Sequence, residues 1–135
     1  MAGEVRRGLD NSFLEMLGIE LVELRKDRCI LEMELGEQHL NRQGTLHGGL
    51  SATLLDAACG YAAVSLDDHS SLVRGVTVML SVNFLSQARF GRVRAEAVVE
   101  RRGRSIAYCE SRLTTVDGEL VAAAHGAFKF SALVA

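Results

Sequence analysis

The stretch from about His47 to Leu66 constrains the fold more than any other part of the chain. It is rich in leucine and alanine, carries one acid, Asp56, and is too long for a strand. It reads as a helix. The segments around it alternate apolar and polar residues, the period of strands that bury one face. One long helix among strands must cover its apolar side with a sheet. The expected class is therefore α+β, an antiparallel sheet with one dominant helix packed on a face.

The remaining elements follow from local signals. Leu9–Leu17 reads as a short helix, with Ser12 and Glu15 at capping-box spacing and Gly18 as its stop. Ile19–Leu35 reads as two strands joined near Lys26-Asp27, and Cys29, Leu31, Met33 and Leu35 alternate in the second. A polar loop, Gly36–Thr45, leads into the long helix, and Asp67-Asp68 ends it. Four strands are then expected over Val73–Leu85, Val93–Glu100, Ile106–Thr115 and Leu120–Phe130. The chain has no proline, so Gly91, Gly103 and Asp117-Gly118 must supply the turns. No linker or repeat interrupts the pattern, and residues 1–135 read as one domain.

Several function classes are disfavoured. No stretch approaches the ~20 apolar residues that span a bilayer, and M-A-G-E-V-R-R-G-L-D lacks the apolar core of a signal peptide. Cys29, Cys59 and Cys109 lie scattered in apolar segments, as reduced core thiols of a cytoplasmic protein would. His39, His47, His69 and His125 lack metal-ligand spacing, so no metal is expected. Residues 1–70 hold six Lys/Arg against twelve Asp/Glu, whereas residues 71–135 hold nine against five. The basic excess falls between Arg89 and Arg112. A local patch on a slightly acidic chain suits a small anionic ligand better than nucleic acid, although a solvated strand face reads the same way.

At 100° per residue, Ala52, Asp56, Cys59, Gly60 and Ala63 share one helical stripe. Asp56 is either a buried acid bracing a neighbouring element or a carboxylate facing a cleft, where it could act as a general base. The loop upstream bears on the choice. Gly48-Gly49 lies at the expected helix start, where N–H groups lack partners and the dipole end is positive. Bare glycine there makes an oxyanion site. Asn41 offers an amide to the same oxygen, and His47 acts through its side chain or shapes the turn. Gly48 and Asp56 are eight residues apart, ~12 Å along a helix. If both serve one carbonyl, one of them must come from a second copy, in a two-fold dimer with two equivalent sites.

These residues resemble a known family. Asn41-x-x-Gly44-x-x-His47-Gly48-Gly49, followed by Asp56 and Gly60, is similar to the signature of hotdog-fold thioesterases of the phenylacetic-acid-degradation (PaaI) type. The resemblance continues through G-V-T-V at Gly75–Val78, N-F-L-S at Asn83–Ser86 and D-G-E-L-V-A-A-A-H-G at Asp117–Gly126. It implies a hotdog fold, a long central helix wrapped by an antiparallel sheet. It implies hydrolysis of an acyl-CoA or aryl-CoA thioester to free acid and CoA, with coenzyme A as part of the substrate and no cofactor. Asp56 would be general base or nucleophile, Gly48 the N–H that polarises the carbonyl, Asn41 its helper, and Thr77 the hydroxyl beside the carboxylate. His47 would mainly shape the loop. Phe84 would lie near the thioester, and the turn Arg101, Arg102, Gly103, Arg104, Ser105 and Ile106 along coenzyme A. Val64, Leu66, Leu80 and Phe84 hint at an apolar acyl lining. A homodimer is implied, with a dimer of dimers as the larger form. Hotdog proteins also include dehydratases and acyl-binding regulators. A non-catalytic acyl-CoA-binding module is therefore the second reading. It would keep the arginine turn and lose dependence on Asp56.

Overall fold

A computed structural model describes residues 9–68 and 72–131. Its elements are α1 (Ser12–Met16), β1 (Ile19–Arg25), β2 (Arg28–Glu34), a 3-10 turn (Glu37–His39), α2 (Gly48–Val64), β3 (Arg74–Phe84), β4 (Arg92–Arg102), β5 (Ile106–Thr115) and β6 (Leu120–Ser131). The six strands form one antiparallel sheet in the order β1-β2-β4-β5-β6-β3. The helix α2 packs on one face and touches every strand. That arrangement is the expected hotdog.

The helix and sheet bury alanines together with a few larger side chains. Leu54, Leu55, Ala58, Cys59, Ala62 and Ala63 of α2 are fully buried against Ala95, Ala97, Ala107, Leu113, Ala122 and Phe128. Cys29, Leu31 and Met33 fill the same core from β2, as their alternation requires. Burial pushes the Cys29 thiol well up, which leaves it an inert apolar group.

Two expectations are corrected. The cap of α1 is Asn11, whose Oδ1 accepts from the Leu14 N–H at 3.1 Å, and not Ser12. Both residue types cap well, and the helix starts one residue before the expected capping box. The small-residue stripe of α2 also splits. Cys59 and Ala63 face the sheet, while Asp56 and Gly60 share the open side with Thr53, Ala57, Tyr61 and Val64.

Four register shifts shape the sheet, near Val22 in β1, Val78 in β3, Glu100 in β4 and Val121 in β6. β3 is an edge strand of 11 residues, and Val76, Val78, Met79 and Phe84 on it are exposed.

Candidate active site

The loop before α2 is built by hydrogen bonds. His39 is buried, with Nδ1 accepting from the Gly36 N–H at 2.9 Å and Nε2 donating to the Leu17 carbonyl at 2.8 Å. Those two partners assign a neutral ring. The His39 carbonyl accepts the His47 N–H at 2.9 Å, which fixes the approach to the helix. Asn41 closes the loop itself. Its Oδ1 accepts from the Gln43 N–H (3.0 Å), the Thr45 N–H (3.1 Å) and the Thr45 hydroxyl (3.2 Å). With its oxygen so engaged, the amide is oriented with its NH2 as the remaining donor.

The start of α2 leaves one donor. Of its first four N–H groups, Gly49 donates to His47 Nδ1 at 2.9 Å, and Leu50 and Ser51 donate to the His47 carbonyl at 2.9 and 3.1 Å. Gly48 has no acceptor among the described residues. His47 is thus the N-cap and shapes the turn, in keeping with the role the resemblance implied. The Phe84 ring lies beside Gly48, where an added Cβ would meet Cε1 at 3.4 Å.

Asp56 sits on the open side of α2, a little over two turns from its start. Thr77 of β3 donates its hydroxyl to Asp56 Oδ1 at 2.7 Å. The two lie in a cleft of about 370 Å3 between α1, α2 and β3. Apart from Asp56, α2 lines it with Thr53, Ala57, Gly60, Tyr61 and Val64. Nothing in the sequence pointed to α1 as its far wall. Asp10, Asn11, Phe13 and Leu14 stand there, and the Tyr61 hydroxyl donates to Asp10 Oδ1 at 2.6 Å. Of the expected apolar lining, Val64 borders the cleft, whereas Leu66, Leu80 and Phe84 do not.

The arginine turn divides. Arg101, Arg104 and Ser105 are exposed, and Gly103 closes the turn with its N–H on the Ile106 carbonyl at 2.8 Å. Arg102, which the resemblance placed along coenzyme A, is turned inward. Its guanidinium donates to Asp27 Oδ1 at 2.7 and 3.0 Å, to the Ala63 carbonyl at 2.7 Å and to the Ala62 carbonyl at 3.3 Å. It also lies 4.7 Å over the Phe130 ring. It caps the C-terminus of α2, where a cation is favoured. The cause is the bulge near Glu100, which adds a residue to β4 and exchanges the sides of Arg101 and Arg102.

Further along the basic stretch, Arg92 pairs with Glu20, Glu32 and Glu34, and Arg94 with Glu32. The solvated-strand reading therefore fits those two. On the outer sheet face Glu100, Glu110 and His125 bring ligand atoms within 4.8 Å of one another, away from the cleft. His69 lies outside the described residues. Among those residues no helix is long and apolar enough to cross a membrane.

The sheet wrapped on α2 defines a hotdog protein, and an acid, a hydroxyl and a bare helix start belong to its open side. Residues 43–122 match the Thioesterase superfamily profile. Acyl-coenzyme A thioesterase 13 of Mus musculus is 33% identical over 106 residues, covering 77% of this chain and 74% of that protein. Among solved structures, zebrafish Thioesterase Superfamily Member 2 aligns with TM-score 0.78 at 29% identity, covering 90% of this chain and 88% of that one. The Escherichia coli PaaI protein of the phenylacetic acid degradation operon aligns with TM-score 0.83 at 22% identity, covering 90% and 86%, and shares the fold. The chain belongs to the thioesterase superfamily and is a thioester hydrolase.

Proposed function

We propose that the protein hydrolyses acyl-CoA thioesters at a site shared between two copies of the chain, each site pairing Asp56 of one copy with Gly48 of the other. The observation that carries this reading is the start of α2. Its first turn keeps a single N–H, that of Gly48, without an acceptor among the described residues, which leaves it available to an oxyanion. The Asn41 amide is the second donor. Asp56, oriented by Thr77, acts on water as general base or on the carbonyl carbon as nucleophile. Attack places negative charge on the carbonyl oxygen, the two donors stabilise it, and the C–S bond breaks to release CoA thiolate. With Asp56 as base the acid forms directly, and the proton Asp56 took from water goes to the thiolate. With Asp56 as nucleophile, water cleaves the acyl–Asp56 anhydride in a second step that releases the acid, one proton of that water going to the thiolate.

The ~12 Å between Gly48 and Asp56 along one helix keeps them from one carbonyl. A two-fold dimer through the exposed β3 edges supports the pairing, since a long apolar edge strand invites a second copy. Exposed Arg101 and Arg104, with Gly103, Ser105 and Ile106 around them, suit the phosphates of CoA. CoA as the leaving thiol is supported by relatives named acyl-coenzyme A thioesterase and 1,4-dihydroxy-2-naphthoyl-CoA hydrolase.

The test is hydrolysis of acyl-CoAs followed by free thiol. Asp56→Asn is expected to lower kcat by roughly 10²–10⁴ with little change in KM. Mixing it with a variant damaged at Asn41 and Gly48 should restore activity on subunit exchange, to about half the wild-type value per heterodimer if the sites are independent. Near-wild-type kcat in Asp56→Asn would favour the acyl-CoA-binding module. Verified exchange without recovery would put both groups in one subunit's site or none.

A further inference from the structure

The glycines that the fold needs can be told by what a side chain would strike. At Gly75 an added Cβ would run into the Val64 side chain, and at Gly126 into the Phe128 ring. Gly60 is different. It lies inside α2 without positive φ, and an added Cβ would meet nothing nearer than Phe128 Cε2 at 4.0 Å among the described residues. A glycine inside a helix lowers stability relative to alanine, because its backbone loses more freedom on folding. The packing described here thus accepts a side chain at a position where helix propensity also favours one.

What a side chain at Gly60 would enter is the cleft. Gly60 borders it one turn beyond Asp56, an i to i+4 step of about 6 Å along the axis. Ala57, Val64, Leu72 and Phe13 supply the apolar part of the walls, beside the polar Asp10, Asn11 and Tyr61. The opposite wall is tied in place. The Tyr61 hydroxyl donates to Asp10 at 2.6 Å, and Leu14 anchors α1 in the core with 4% exposure. A methyl group at position 60 would therefore displace an occupant of the cleft and not a loose wall.

We propose that Gly60 is a specificity-determining residue, whose missing side chain admits acyl groups reaching one helical turn past the thioester carbonyl. Aryl and medium-chain acyl groups reach that far, and acetyl and propionyl groups do not. The inference rests on the thioesterase reading above.

The experiment measures kcat/KM of the wild type and Gly60→Ala on acetyl-, propionyl-, hexanoyl- and phenylacetyl-CoA. The ratio of the two longer substrates to the two shorter ones is expected to fall at least ~10-fold in the variant, the scale on which one methyl group discriminates in an apolar pocket. Gly60→Ala should melt at or above the wild-type temperature, which separates the effect from unfolding. An unchanged ratio overturns the proposal. So does a variant that melts lower or elutes as a smaller species on size exclusion, because bare backbone would then serve packing or the second copy. A wild type that cleaves only the two short substrates overturns it while leaving the thioesterase reading intact. A wild type that cleaves none of the four removes that reading and this inference together.

Discussion

Arg102 and Arg104 stand two residues apart and face different tasks. Arg102 spends its guanidinium on Asp27 and on the last carbonyls of α2, whereas Arg104 is exposed in the turn. Arg102→Ala should cost about 1.5–3 kcal/mol of stability, the range for hydrogen bonds to a charged group, read from denaturant unfolding. Arg104→Ala should leave stability within about 0.5 kcal/mol. Instead it should raise KM for acyl-CoA, more at low salt, and spare a truncated N-acetylcysteamine thioester. Equal losses on both thioesters would make the turn a structural feature. The sequence could not separate these arginines, because a bulge near Glu100 leaves no mark on local pattern. Asp56 and Gly48 stand out by local chemistry, an acid within an apolar helix and glycines at a helix start, whereas Thr77 comes only with the family resemblance. Which N–H stays without an acceptor was beyond the sequence, for that depends on the rotamer of His47.

At the scale of elements, strand and helix positions were legible because period and turn residues are local too. β5 spans Ile106–Thr115 as expected, and α2 spans Gly48–Val64 inside the expected His47–Leu66. The part of α1 in the cleft was not legible, because it arises from a contact between Asp10 and Tyr61, 51 residues apart. β3 gives the element-scale prediction. Val78 is 60% exposed on that edge and does not line the cleft. Val78→Lys should turn a dimer into a monomer by sedimentation while keeping the circular dichroism of the fold. Activity should fall at least ~10-fold with it, since the site as proposed needs two copies. A monomeric variant with wild-type activity would exclude the shared site.

For the whole molecule, stability should depend on acid in a definite sense. Burial works to raise the Glu32 carboxyl, yet hydrogen bonds and charge from Arg94 and Arg92 outweigh it and hold it below its ordinary 4.5. Glu23 is held below 4.5 in the same way, with Arg28 and Arg25 overcoming burial. A carboxyl depressed in the folded state adds stability above its unfolded pKa and loses it as pH falls through the folded one. Thermal melts should therefore lose ground below about pH 4.5, and the double variant Glu23→Gln, Glu32→Gln should show a shallower fall there. A melting temperature flat from roughly pH 6 to 3 would contradict those pairs.

The two borders of the sheet are unlike. β3 offers 11 residues with an apolar exposed row, while β1 is seven residues long, bulged near Val22 and edged by Glu20, Glu23 and Arg25. In polymer terms each chain is a monomer unit of functionality one. Two such units consume each other's single reactive end and terminate. With the β3 edges paired as proposed, sheet extension would stop at two copies, because β1 does not offer the geometry that would let them propagate into a fibre.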